Sequence, residues 1–288
     1  MKRSSSPLVA AEEVASRLDD PKLRVADVRW YLGQRGEGRR RYEAGHVPGA
    51  VFVDVDTDLA APPGPGRHPL PDPRAFAARM GELGIGDEHD VVVYDDAGGT
   101  IAARLWWMLD ALGHSNVAVL DGGLPAWEAA GLPMTAEVPS YPSARLTVPA
   151  GGWPRTLDRA ELKERLGSVL LLDARAGKRY RGEVEPVDRV PGHIPTAISA
   201  PYDENLSADG RLLPPAALRE RFEAVGVAGE NRNDVVTSCG SGITACHNAL
   251  AMRIAGLPDP ILYAGSYSDW TANGEPVATG PEPGPPPK

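Results

Sequence analysis

The sequence predicts an α/β protein made of two tandem modules, each a mainly parallel sheet flanked by helices. Short β-branched runs (VVVY, VAVL, LLLD, PILY) alternate with amphipathic patterns such as PRAFAARMGELG and ACHNALAMRIAG. That alternation marks buried parallel strands joined by crossover helices. The motif order also repeats. VADVRW, GHVPGA, VVVYDD and LDGGLPAW in the first half return as LLDAR, GHIPTA, VVTSCG and YAGSYSDW in the second. Asp27 and Asp173, His46 and His193, Asp95 and Cys239, Trp127 and Trp270 stand 143–147 residues apart. Two copies of one unit therefore account for the chain, and 288 residues suffice for two ordinary cores.

The amino-terminal stretch carries Glu12 and Glu13 where a secretory leader needs apolar residues, which argues against export. The first module then runs through residues 1–135. A Pro-rich connector without helical period follows at 136–152, and the second module occupies 153–280. The tail 281–288 (PEPGPPPK) is expected to be extended and unstructured. Elsewhere the 32 glycines and 29 prolines are spread as punctuation between periodic segments.

Thirty basic against 39 acidic residues leave a net charge of -9, so nucleic acid and anionic membrane surfaces are not expected partners. No apolar run approaches the ~18 residues of a membrane span. Two cysteines are too few for a disulfide framework and fit a reducing, cytoplasmic setting.

In parallel sheets the chemistry gathers beyond the carboxyl ends of strands. One such loop reads DVVTS, then Cys239, Gly240, Ser241, Gly242, Ile243 and Thr244, with a helix beginning near Thr244 or Ala245. Two glycines permit a tight turn whose backbone N–H groups point at the sulfur, and the helix amino terminus adds partial positive charge. Both features favour a nucleophilic thiolate; a Cys at a strand end can also be a small buried hydrophobe. Cysteine phosphatase chemistry needs an Arg where this loop has Ala245, and Cys239, Cys246 and His247 do not form a zinc knuckle. No Cys-x-x-Cys is present, which removes dithiol redox work. Cys246 falls inside the helix as a packing residue.

The motifs DVRW, GHVPGA, VVVYD, LDGGLPAW, GHIPTA and CGSGIT, in this order, resemble the tandem rhodanese-like sulfurtransferases, from about Val9 to Gly280. The resemblance implies a carboxyl-terminal module bearing the catalytic Cys and a silent amino-terminal copy, in agreement with Asp95 standing where the second copy has Cys239. The loop is similar to that of the 3-mercaptopyruvate sulfurtransferases, with Ile243 in place of Val. Thiosulfate-preferring members more often carry Arg and Lys where this chain has Gly240 and Ser241. The resemblance further implies a relay of Ser241, Asp56 and His68 that delivers a proton to the leaving pyruvate enolate. It also assigns the donor carboxylate to Arg179, a bidentate guanidinium. Arg189 is the nearest candidate for a second such Arg, in a segment that does not align cleanly.

Arg175, His46 and His193 recur in both copies, or have counterparts there, and read as scaffold; Trp106 and Trp107 read as packing. The implied reaction needs no metal or organic cofactor. Its partners are a small-molecule sulfur donor and a thiol, cyanide or thioredoxin-type acceptor. Thiosulfate:cyanide transfer, a persulfide carrier with little free turnover and a cysteine hydrolase are the alternatives.

Overall fold

A computed structural model describes residues 6–62, 64, 66–228 and 234–287. The chain forms two compact units. The first contains the residues up to Ala61, Pro71–Pro154 and Ala208–Leu212; the second contains Pro62–Leu70, Arg155–Ser207 and the residues from Leu213 onward.

The first unit carries strands β1 (Leu8–Val9), β2 (Leu23–Asp27), β3 (Ala50–Phe52), β4 (Asp90–Tyr94) and β5 (Val117–Leu120) in the order β1-β5-β4-β2-β3, every pairing parallel. Its helices are α1 (Ala11–Ala15), α2 (Glu37–Ala44), α3 (Pro73–Glu82), α4 (Ala102–Ala111) and α5 (Gly123–Ala129). The second unit repeats the arrangement. Strands β6 (Thr156–Leu157), β7 (Leu170–Asp173), β8 (Ile198–Ser199), β9 (Val235–Ser238) and β10 (Ile261–Tyr263) lie in the order β6-β10-β9-β7-β8, again parallel. Helices α6 (Arg159–Arg165), α7 (Gly177–Tyr180), α8 (Pro215–Ala224), α9 (Thr244–Ile254) and α10 (Ser266–Ala272) connect them. The two sheet orders are one order written twice, as a duplication requires.

Local chemistry explains the elements. Asp72 caps α3 by accepting from the Arg74 and Ala75 N–H groups, with Pro73 at the first helical position. Asp158 and Glu161 form a capping box at the start of α6. Gly81 stands within α3 because a Cβ there would strike the Ala144 carbonyl. In α4 nearly every side chain is buried, Trp106 and Trp107 included, so this helix has no polar face. Trp107 packs beside Trp153. Each unit closes its core on one Trp: Trp127 Nε1 donates to the Pro133 carbonyl and Trp270 Nε1 to that of Pro276. The Asp27–Arg29 pair also has a twin, Asp173–Arg175, and all four side chains are buried. In each copy the Arg also donates to a glycine carbonyl, at Gly45 or Gly192. His46 and His193 stack on Tyr42 and Tyr180 in the same way. Present in both copies, these groups are scaffold.

Composition alone misjudged two segments. The connector 136–152 belongs to the first unit: Tyr141 Oη donates to the Gly49 carbonyl, the Ala144 N–H to that of Gly81 and the Asp87 N–H to that of Arg145. Residues 281–287 are not a free tail. The Pro283 carbonyl accepts from the Thr196 N–H at 2.7 Å, and the Glu282 carbonyl lies 3.1 Å from His193 Nε2. An extended Pro-rich backbone leaves its carbonyls open, and the second unit has donors for them. Lys288 lies outside the described residues.

The loop after β4 wraps the carboxylate of Asp95. Its Oδ1 accepts from the N–H groups of Ala97 and Gly99, and its Oδ2 from those of Ile101 and Ala102, each at 2.8 Å. Asp95→Ala leaves these donors without their acceptor, three of them buried. It is expected to lower the unfolding free energy by about 3 kcal/mol, measured by urea titration; a loss below about 0.5 kcal/mol contradicts the structural role.

Candidate active site

The matching loop of the second unit joins β9 to α9 through residues 239–243. Cys239 is 2% exposed. Its Sγ accepts from the Gly242 N–H at 3.1 Å, a contact that stabilises negative charge on sulfur. Gly242 has φ +80°, a left-handed turn that admits glycine readily. Gly240 is not in that region. A Cβ there would lie 2.7 Å from Arg67 Nη2, the mobile end of a long side chain, and at ordinary contact distance, 3.6–3.8 Å, from the Arg179 fork.

The peptide of Cys239 is held on every side. The Tyr267 N–H donates to the Cys239 carbonyl at 3.0 Å and the Ser268 N–H to that of Gly240 at 2.9 Å. The Cys239 N–H donates to Ser266 Oγ at 3.0 Å, and that hydroxyl donates to the Tyr263 carbonyl at 2.9 Å. Ser266 is fully buried and has φ +53°, a strained conformation for a residue with a Cβ. Its counterpart in the first unit is Gly123, at φ +57°. Glycine suits the first copy, where a Cβ at 123 would strike the Asp95 carbonyl. In the second copy a hydroxyl occupies the strained position and holds the amide of Cys239.

Ser241 is buried, and its Oγ lies 2.7 Å from Nδ1 of the buried His68. The two are 173 residues apart in sequence, and they meet because the segment Pro62–Leu70 belongs to the second unit. Ile243 is buried, and Thr244 opens α9 with its amino-terminal dipole behind the sulfur. Cys246 Sγ donates back to the Gly242 carbonyl at 3.3 Å, a packing contact one turn into the helix.

Arg179, on α7, donates from Nη2 to Glu185 Oε1 at 2.6 Å and to Asp188 Oδ2 at 3.1 Å. Arg67 pairs with the other Asp188 oxygen. Burial raises the Asp188 carboxyl above its ordinary range, and Arg67 offsets only part of that rise. Burial acts on Glu185 as well, but there Arg179 and the N–H groups of Asp188 and Val187 outweigh it and hold the carboxyl low. Arg189 is exposed, and the guanidinium groups nearest Gly240 are those of Arg67 and Arg179. Asp56 lies in the first unit, where Oδ1 accepts from Trp30 Nε1 at 3.0 Å. Arg67 and Ser266 are the site residues the sequence did not announce. The loop's own neighbours hold no cation, and only the contrast of GSYS with GGLP marks Ser266.

A cysteine with an amide aimed at its sulfur, at a strand–helix turn of a duplicated parallel α/β unit, is the arrangement of a sulfur-handling domain. The chain belongs to the rhodanese-like domain family, which it matches over residues 10–130 and 158–273. It is 46% identical over 292 residues to the probable 3-mercaptopyruvate sulfurtransferase of Pseudomonas aeruginosa, covering 96% of this chain and 99% of that one. Over 275 residues it is 38% identical to the thiosulfate sulfurtransferase of Bos taurus, covering 90% of this chain and 89% of that one. The structure of 3-mercaptopyruvate sulfurtransferase from Leishmania major is similar, with a TM-score of 0.83 at 32% identity, over 95% of this chain and 76% of that one. Among the described residues no helix is long and apolar enough to cross a membrane.

Ser266→Ala leaves the buried Cys239 N–H without its acceptor. The rate of sulfur loading on Cys239 is expected to fall about tenfold, with the circular dichroism spectrum unchanged. An unaltered single-turnover rate removes Ser266 from the site.

Proposed function

We propose that the chain is a sulfurtransferase that moves the sulfane sulfur of 3-mercaptopyruvate through a Cys239 persulfide to a thiol or cyanide. The observation that carries this reading is the Cys239 sulfur facing the Gly242 N–H, in a loop whose Ser241 pairs with His68. The Cys239 thiolate attacks the donor sulfur, and an S–S bond forms while the donor's C–S bond breaks. The electron pair stays on carbon as the pyruvate enolate. Ser241 hands that carbon a proton and is replenished through His68, and the proton shed by the donor thiol restores the balance. Asp56 is the remaining member of the relay by resemblance to the family. The persulfide is anionic, so the amide that serves the thiolate serves the intermediate too. The acceptor then removes the outer sulfur, which makes the kinetics ping-pong.

Arg179 presents a fork suited to the donor carboxylate. Small thiols, cyanide and reduced thioredoxin-type proteins are the acceptors in this proposal, and the cytoplasm is its compartment, in keeping with two free cysteines. One observation favours a second reading. Arg67 sits over Gly240, and a cation at that point suits a donor such as thiosulfate, which releases sulfite.

Cys239→Ser is expected to abolish transfer to cyanide with the fold intact, and the wild type to gain the mass of one sulfur atom on Cys239 after incubation with donor. Retained turnover in the variant, or no mass gain in the wild type, refutes the mechanism. Arg179→Lys is expected to raise the KM for 3-mercaptopyruvate about tenfold with a smaller effect on kcat; an unchanged KM removes Arg179 from substrate capture. In a donor comparison, a thiosulfate kcat/KM about tenfold above that of 3-mercaptopyruvate favours the second reading.

A further inference from the structure

The duplication supplies an internal comparison for Arg67. Its counterpart is Arg211, in GRLLPP as against GRHPLP. Arg211 belongs to the first unit, where its Nη1 lies 3.5 Å from Asp121 Oδ2 and its side chain crosses Gly122. The position of Asp121 in the second copy is Ala264. Arg67 therefore lacks the carboxylate that anchors its twin. Its backbone N–H donates to Ser268 Oγ at 3.1 Å, and its guanidinium reaches on over Gly240 to Asp188. Arg67 Nε is buried with no hydrogen-bond partner. A second guanidinium thus stands beside the cysteine loop, next to that of Arg179.

The charges around the loop cancel. Arg67, Arg175 and Arg179 face Asp173, Glu185 and Asp188, and all three carboxylates are nearly sealed from water, at 2%, 3% and 4% side-chain exposure. Asp173 and Glu185 are also held by the scaffold cation Arg175. Asp188 alone of the three pairs with both guanidinium groups that crowd Gly240. Such a neutral cluster still presents N–H donors to one carboxylate but has no surplus positive charge for a dianion.

We propose that Asp188 sets the donor preference: by bridging Arg67 and Arg179 beside Gly240, it cancels the charge that would favour a dianionic sulfur donor and leaves a site suited to a monoanionic keto-acid thiol. Asp188 acts through the two arginines and is a positioning residue. The assignment rests on the sulfurtransferase reading above and supplies its specificity. The two readings of the donor thereby become two charge states of one cluster.

The test is Asp188→Asn in the full chain, with initial rates for 3-mercaptopyruvate and thiosulfate and cyanide as acceptor. The kcat/KM for thiosulfate is expected to rise about tenfold, mainly through KM, while that for 3-mercaptopyruvate stays within about threefold of wild type. The thiosulfate gain should shrink as salt is raised, and Asp188→Glu, which keeps the charge, should retain the wild-type donor ratio. A donor ratio unchanged in Asp188→Asn, or a parallel loss of both donors in a folded protein, overturns the assignment. If Asp188→Asn does not fold, Arg67→Gln decides the matter, because it leaves the cluster with a net negative charge. It must then lower thiosulfate kcat/KM about tenfold and 3-mercaptopyruvate distinctly less; equal losses overturn the proposal. A wild type that takes sulfur from neither donor overturns the functional reading and this assignment together. A wild type that transfers sulfur but fails the Asp188→Asn comparison overturns the assignment alone.

Discussion

The peptide of Cys239 is fixed at its carbonyl by Tyr267 and at its N–H by Ser266, and its sulfur accepts from the Gly242 amide. The constraint originates in the fold. A parallel strand ending at Ser238 must turn into a helix starting at Thr244, and the adjacent strand-to-helix turn at residues 263–268 packs against it. Few side-chain choices satisfy both turns. Gly242 supplies the left-handed corner, Gly240 lies beside the Arg67 guanidinium, and Ser266 accepts backbone strain for its hydroxyl contact. Preorganised amides of this kind need no rearrangement as charge moves onto sulfur.

Around that centre the charged groups are arranged for balance. Three arginines and three carboxylates lie within one network, in which Arg175 serves the scaffold and Arg179 and Arg67 face the loop. Buried ions are tolerated only when paired, so each guanidinium beside the loop has a carboxylate. The separation of Glu185, held low by its donors, from Asp188, pushed up by burial, shows that the two carboxylates are not equivalent partners.

Much of this architecture was legible from the chain itself. Alternation and the repeated motifs gave the two parallel sheets, because buried strands and matched spacings leave marks in composition. The loop from Cys239 to Thr244 was legible for the same reason: glycines at a strand-to-helix junction are local signals. Ser241 and His68 are a different matter. Their meeting across 173 residues came from likeness to a family and not from pattern, since no local rule links a serine in a turn to a histidine between prolines. Arg67 escaped because a cation delivered from another segment is invisible to a reading of the loop's neighbours. The terminal prolines escaped because composition describes how a backbone prefers to bend and is silent on which donors await it.

The loop around Asp95 differs from its counterpart in length as well as in its central residue. Seven residues separate β4 from α4, against five between β9 and α9, and the longer ring is spaced for two oxygens rather than one sulfur. A thiol placed at that position would sit in a wider collar, facing donors spaced for a carboxylate. Backbone length therefore separates the two loops, and exchanging Asp95 for Cys alone would not reproduce the turn around Cys239.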